Sequence, residues 1–159
     1  MEFESVKKYL EQGGGIEDEH RAATLMSSLP SRFFENFILQ HIHVDLIHPG
    51  RLVCSMKLPH QLANADNILH GGVIATLVDT VGSAALYTVG VCMDRVSVEI
   101  NVSYLDAACA GEEIEIEAKV LKVGTLIDVI SVDFREKNTR KLIAQGRHSM
   151  YIVGPSSKL

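Results

Sequence analysis

The chain has 159 residues, 47% of them apolar and 22% charged, the size and balance of one globular domain rather than of a disordered or membrane-embedded chain. Its formal net charge is -5 and no Lys/Arg cluster stands out, so a surface built to grip nucleic-acid phosphates is excluded. Cys54, Cys92 and Cys109 are widely spaced, form no C-x-x-C pair and leave an odd count; this is the pattern of free thiols in a reducing compartment, used as small packing groups.

The opening "MEFESVKKYLEQGGG" carries acidic residues and lacks the apolar block of a secretory signal. It reads as an amphipathic helix and a triple-glycine hinge, so residues 1–34 are expected to form an N-terminal helical extension ahead of one domain over 35–153. "SSLPSRFFENFIL" suggests a short helical turn anchored by Phe33, Phe34 and Phe37, after which period-two alternation begins. "QHIHVDLI" sets Ile42, Val44 and Leu46 on one face, and "GRLVCSMKL" follows the Pro49-Gly50 turn signal, so residues 39–59 read as a hairpin. The alternation also gathers His41, His43 and Asp45 on one face, a constellation that imitates a metal triad but is already explained as the polar side of an amphipathic strand.

After the loop "PHQLANADN" comes the long apolar run from Val73 to Val91. Thr76, Asp79, Thr80, Gly82, Ser83 and Thr88 interrupt it, so it reads as a buried helix and no membrane span is expected. Four alternating segments follow, "RVSVEINVSYL", "EEIEIEAKVLKV", "TLIDVISVDFRE" and "KLIAQGRHSMYIV", joined by short turns. Turns that short imply antiparallel neighbours, because a parallel crossover needs a dozen or more residues. The expected class is therefore α+β: two strands, one long helix and four strands, with the helix lying across a single sheet face.

Within the helix, "NILHGGVIATLVDT" sets a His-Gly-Gly at the start and one carboxylate, Asp79, in the apolar run. A carboxylate there is either satisfied by partners or kept because chemistry uses it. The segment "LHGGVIATLVDT", with "VSVEINVSYL" and "KLIAQGRH", resembles the signature of the small hotdog-fold acyl-CoA thioesterases of the phenylacetate-thioesterase and thioesterase superfamily member 2 type, over about residues 35–153. The resemblance implies a curled antiparallel sheet wrapped around the helix, thioester hydrolysis and no cofactor.

Thioester hydrolysis needs donors for the oxyanion, a base or nucleophile, and an apolar slot. Gly71 sits at the first helical turn, where backbone N–H groups lack intrahelical partners and the dipole favours negative charge, and its missing side chain lets a carbonyl approach. Asp79 can deprotonate water or attack the thioester itself, and the sequence does not separate these routes. Eight residues between them is about 12 Å of helix axis, so one helix cannot bring both to one carbonyl. Two chains can, if their helices run antiparallel across a two-fold axis. The resemblance implies the same homodimer, often paired again into a tetramer. It also implies that Asn64 helps hold the thioester carbonyl and that Ser97 helps orient the water with Asp79. His70, beside them, either bonds substrate or shapes the loop.

For the CoA moiety the resemblance points to Tyr104, Lys122 and Gly124. At "LDAACAG" the chain departs from that family's usual proline and basic residue, with Cys109 in the latter place, which leaves phosphate recognition there open. A G-x-S-x-G elbow and a P-loop are absent from the sequence. Other readings are a non-catalytic acyl-CoA or acyl-carrier binding module of the same fold, an aromatic acyl-CoA thioesterase and, last, a hotdog dehydratase. The final Ser157-Lys158-Leu159 of "GPSSKL" matches the C-terminal peroxisomal address, so residues 154–159 are expected to be a targeting tail read by an import receptor, with the cytoplasm as the alternative location.

Overall fold

A computed structural model of the chain describes residues 33–91 and 95–153. The expected N-terminal helix and hinge, Cys92 and the targeting tail lie outside the described residues. The chain divides into two compact units, Met1–Phe37 and Ile38–Leu159, and the second holds the sheet and the long helix.

Helix α1 (Phe33–Leu39) forms where a short helical turn was expected, but the residue it buries is Ile38. Phe33, Phe34 and Phe37, the expected anchors, are exposed in the chain. Strands β1 (Ile42–His48) and β2 (Arg51–Lys57) make the expected antiparallel hairpin, turning at Gly50, whose φ of 76° favours glycine. A short 3-10 turn (His60–Leu62) leads to helix α2 (Gly71–Tyr87), and β3 (Arg95–Tyr104), β4 (Glu113–Lys122), β5 (Ile127–Glu136) and β6 (Leu142–Ile152) follow.

The six strands form one antiparallel sheet in the order β1-β2-β4-β5-β6-β3. This corrects one expectation: β3 and β4 are consecutive in sequence but are not neighbours. The connection 105–112 is no hairpin loop. Leu69 N–H donates to the Ala108 carbonyl and Ala110 N–H to the Asn67 carbonyl, so the connection docks on the loop ahead of α2 while the chain passes from the outer edge to the sheet centre. β3 thereby becomes an edge strand, with Val96, Val98 and Ile100 exposed.

Residues Val73, Ile74, Leu77, Val78, Val81, Gly82, Ala85 and Leu86 of α2 are buried, the three-and-four spacing of one helix face. They meet Leu52, Cys54 and Met56 of β2, Ile114, Ile116 and Ala118 of β4, and Ile130, Val132 and Phe134 of β5 in one core. Burial pushes the Cys54 thiol up to about 11, with Asp45 adding to the effect, so it is the inert packing group expected. Two of the polar residues that interrupt α2 are satisfied within the helix: Thr76 and Thr80 donate to the carbonyls of Gly72 and Thr76. Among the described residues no helix is long and apolar enough to cross a membrane.

Bulges revise the simple alternation. The register shifts between Val44 and Leu46, where Leu46 pairs with Val53 while Val44 pairs with Cys54. Leu46 therefore leaves the face of Ile42 and Val44, because directly paired residues share a sheet face. Asp45 at the shift binds His43 Nδ1 at 3.0 Å, and among the described residues no group of three potential metal ligands is gathered.

Helix α2 lies tightly on β6 at Gly146. A Cβ added to Gly146 would overlap the side chain of Val78, with Cγ1 at 2.9 Å. Gly→Ala ordinarily stabilises a chain through its unfolded state, by about 0.4–1 kcal/mol, but here overpacking against a stiff valine opposes it at about 1–3 kcal/mol. Gly146→Ala is therefore expected to lower unfolding stability, and Val78→Ala in the same chain to restore part of the loss. Urea unfolding of the two single variants and the double variant measures this coupling.

Candidate active site

Asp79 stands on α2 one residue after Val78. It is less buried than its apolar neighbours suggested, with its side chain 45% exposed in the single chain. Ser97 Oγ donates to Asp79 Oδ1 at 2.8 Å. The residue beneath them was missed in the sequence: His148 of β6, wholly buried, places Nε2 2.9 Å from Ser97 Oγ and 3.3 Å from Asp79 Oδ1. Because the Ser97 proton is committed to the carboxylate, Nε2 must carry the imidazole proton. Nδ1 is then a bare acceptor, buried without a partner among the described residues, and it lies 3.2 Å from where a Cβ on Gly82 would stand. Glycine at 82 lets the helix pass over the ring.

Ser97 reaches this cluster because of a bulge. β3 and β6 pair Ser97 with Met150 but Glu99 with Ser149, a register shift at Val98. Plain alternation would set Ser97 on the same face as Glu99, Asn101 and Ser103. The inserted residue turns Ser97 inward instead, the way bulges re-aim side chains beside sites.

At the other end of α2, His70 is the N-cap: its Nδ1 accepts from Gly72 N–H at 2.9 Å, a contact that shapes the entry of the loop into the helix. Val73 and Ile74 N–H both go to the His70 carbonyl. Of the first-turn amides, that leaves Gly71 N–H without a protein partner among the described residues. Tyr104 Oη donates to the Gly71 carbonyl at 3.0 Å. Asn64 Oδ1 accepts from the N–H of Asp66 at 3.0 Å and of Ile68 at 3.1 Å, organising the loop and leaving its amide Nδ2 as the end available to a ligand.

The three residues implied for CoA do not converge in one chain. Lys122 pairs with Val129 and, through Ser149, aligns with Glu99; Tyr104 aligns through Ala144 and Phe134 with Ile116. Six residues of β4 separate those rows, about 20 Å. Tyr104 belongs with Gly71, while Gly124 donates its N–H to Asp128 Oδ1 at 2.9 Å and is held to glycine by the Ile127 carbonyl.

The thioesterase superfamily model matches residues 66–143, a span that begins just ahead of Gly71 and includes Asp79 and Ser97. Human acyl-coenzyme A thioesterase 13 is 42% identical over 126 residues, covering 77% of this chain and 86% of that one. The chain belongs to the thioesterase superfamily. Two solved thioesterase superfamily member 2 structures share its architecture: the zebrafish protein, with a TM-score of 0.72, 38% identity and coverage of 80% of this chain and 91% of that one, and the mouse protein, with 0.69, 40%, 76% and 88%. The hotdog fold expected from the resemblance is the fold observed.

The described residues of this thioesterase-superfamily chain form several concavities. One of about 400 Å³ lies on the outer sheet face at Asn101 and Arg147, and one of about 670 Å³ at the sheet end by Glu113 and Lys141. Another, about 230 Å³, opens beside Asp79 and Ser97.

Desolvation holds the His148 pKa below 6.5, outweighing the Asp79 charge that raises it. With the folded value below the unfolded one, the unfolded chain binds more protons between the two. His148 therefore contributes stability in full above 6.5 and loses it as pH falls toward the depressed value. His148→Gln is expected to flatten that part of the profile, read as the change in urea midpoint between about pH 7.5 and about pH 5.5 for wild type and variant.

Proposed function

We propose that the chain is an acyl-CoA thioesterase that hydrolyses fatty acyl-CoA, with Asp79 of one protomer activating water and the Gly71 N–H of its partner polarising the thioester carbonyl. The observation that carries this is the division of labour along α2. A carboxylate fixed by Ser97 and His148 and an unpartnered first-turn amide lie about 12 Å apart on one helix. They are the two halves of a thioester hydrolase that one chain cannot combine at one carbonyl. The exposed apolar edge of β3 supports a homodimer, since a second β3 can pair with it and set the helices antiparallel. Further pairing into a tetramer rests on the resemblance alone.

In this reading Asp79 Oδ1 is held by Ser97, and Oδ2 takes a proton from water as the water oxygen attacks the thioester carbon. Negative charge collects on the carbonyl oxygen at the Gly71 N–H, with Asn64 Nδ2 as a second donor. The C–S bond then breaks, CoA leaves as the thiolate, and the carboxylic acid of Asp79 returns its proton to that sulfur. His148, neutral at neutral pH, keeps Ser97 and the carboxylate oriented. The name of the human relative, an acyl-coenzyme A thioesterase, supports the substrate class. A binding module of the same fold has no use for a carboxylate fixed in this way.

Asp79→Asn is expected to preserve the dimer and lower turnover by at least ~100-fold, the scale for loss of a base, measured as thiol release from a panel of acyl-CoAs. Mixing Asp79→Ala chains with chains carrying a bulky residue at 71 should restore part of the activity, because each mixed dimer keeps one intact site. Near wild-type turnover of Asp79→Asn would sink the assignment, and verified heterodimers without recovery would sink the shared site.

The peroxisomal location is proposed from Ser157-Lys158-Leu159 alone. Where Leu159 ends the mature chain, its deletion should release the protein from peroxisomes to the cytosol of a eukaryotic cell. Unchanged co-localisation by microscopy would leave the tripeptide without that role.

A further inference from the structure

The cavity beside Asp79 has a charged wall. Besides Asp79 and Ser97 it is lined by Ser83 and Leu86 of α2, Met150 of β6 and Arg95 of β3. Leu86 lies seven residues beyond Asp79, about 10 Å along the helix, and Arg95 two residues before Ser97, about 7 Å along the strand. The space thus runs from the reacting groups toward the C-terminal end of α2, between helix and sheet. CoA is large and polar and must leave toward solvent, so the space between Leu86 and Met150 is the one suited to the acyl group.

Arg95 cannot swing out of this space. Its Nε donates to Oδ2 of Asp128, a carboxylate on β5 with no exposure at all. The other oxygen of Asp128 accepts the Gly124 N–H at 2.9 Å. The register explains the meeting: Ser97 aligns through Met150 with Asp128, and Arg95, paired with Ile152 one step along the same inward face, is within reach of that carboxylate. Moving the guanidinium aside would strand a buried carboxylate without its counter-charge, an arrangement proteins avoid. An alkyl chain that grows toward Arg95 meets a fixed cation instead of another methylene.

We propose that Arg95, pinned by Asp128, is the acyl-length stop of this enzyme. The inference rests on the thioesterase reading above and adds the size of the acyl group. A cavity of 150 Å³ takes a benzene molecule, so about 230 Å³ takes an acyl group of roughly nine non-hydrogen atoms. Medium acyl chains fit; long saturated ones must either displace the ion pair or fold back.

The test is kcat/KM across saturated acyl-CoAs from four to sixteen carbons, for the full chain and two variants. Wild type is expected to peak near eight carbons, about where the cavity fills, and to fall at least ~10-fold by sixteen. Arg95→Met/Asp128→Leu removes both charges together, so neither is left buried alone, and is expected to move the peak longer by about four carbons with kcat on short substrates within ~3-fold. Ser83→Leu narrows the same space from the helix side and should move the peak shorter. Hydrolysis by wild type that is as efficient at sixteen carbons as at eight would overturn the stop while leaving the thioesterase reading intact. So would a well-folded double variant with an unmoved profile. Should the double variant not fold, the wild-type profile and Ser83→Leu still decide. No hydrolysis of any acyl-CoA by wild type would overturn the thioesterase reading itself, and the stop with it.

Discussion

The site depends on how closely α2 can lie on β6. Two glycines set that distance: Gly146 makes room for Val78, and Gly82 makes room for the His148 ring. Asp79 sits between those two contacts in sequence, so its height above the sheet is decided by packing on either side of it. A helix held farther out would keep the core apolar and the strands paired, yet would lift the carboxylate from Ser97 and His148. Close packing of an apolar helix is here the means by which a polar contact of 2.8 Å is held.

Much of this is legible in the residues. Period-two runs and short turns identify the strands, and the apolar run identifies the helix across them. Asp79 announces itself as a carboxylate in an apolar run, and Gly71 as a bare residue at a helix start. The β3/β4 adjacency is misread because eight residues look like a long hairpin loop, and only docking against residues 63–70 shows the connection to be a crossing. Ser97 is reached by resemblance and hidden from alternation by the bulge at Val98. The three phenylalanines of α1 illustrate the opposite error, since large apolar residues mark a helix without saying which of them it buries.

His148 and Asp128 were missed although each carries a signal. In β6 the inward row is Ala144, Gly146, His148 and Met150, small or apolar but for one imidazole. In β5, Asp128 lies beside Ile127, Val129 and Ile130, and the reasoning that singled out Asp79 applies to it equally. A buried acid in an apolar strand needs a cation, and Arg95 at the start of β3 supplies it. What sequence order could not show is that β3 and β5 lie on either side of β6, which alone makes Arg95 and Asp128 partners.

The bulge at Val98 is one added residue, and its effect is one of parity. On the N-terminal side of it the odd-numbered residues Arg95 and Ser97 face the helix; beyond it the even-numbered Ile100, Val102 and Tyr104 do. A single strand therefore serves two masters, with its first segment in phase with Asp79 and His148 and its second in phase with the core and the helix start. Counting mutations at this strand by chemistry alone would miss the point: losing or gaining one residue there exchanges the wet and dry faces of a whole segment, whereas most substitutions leave the phase intact. The tolerance of β3 to change is thus governed by its residue count before its residue types.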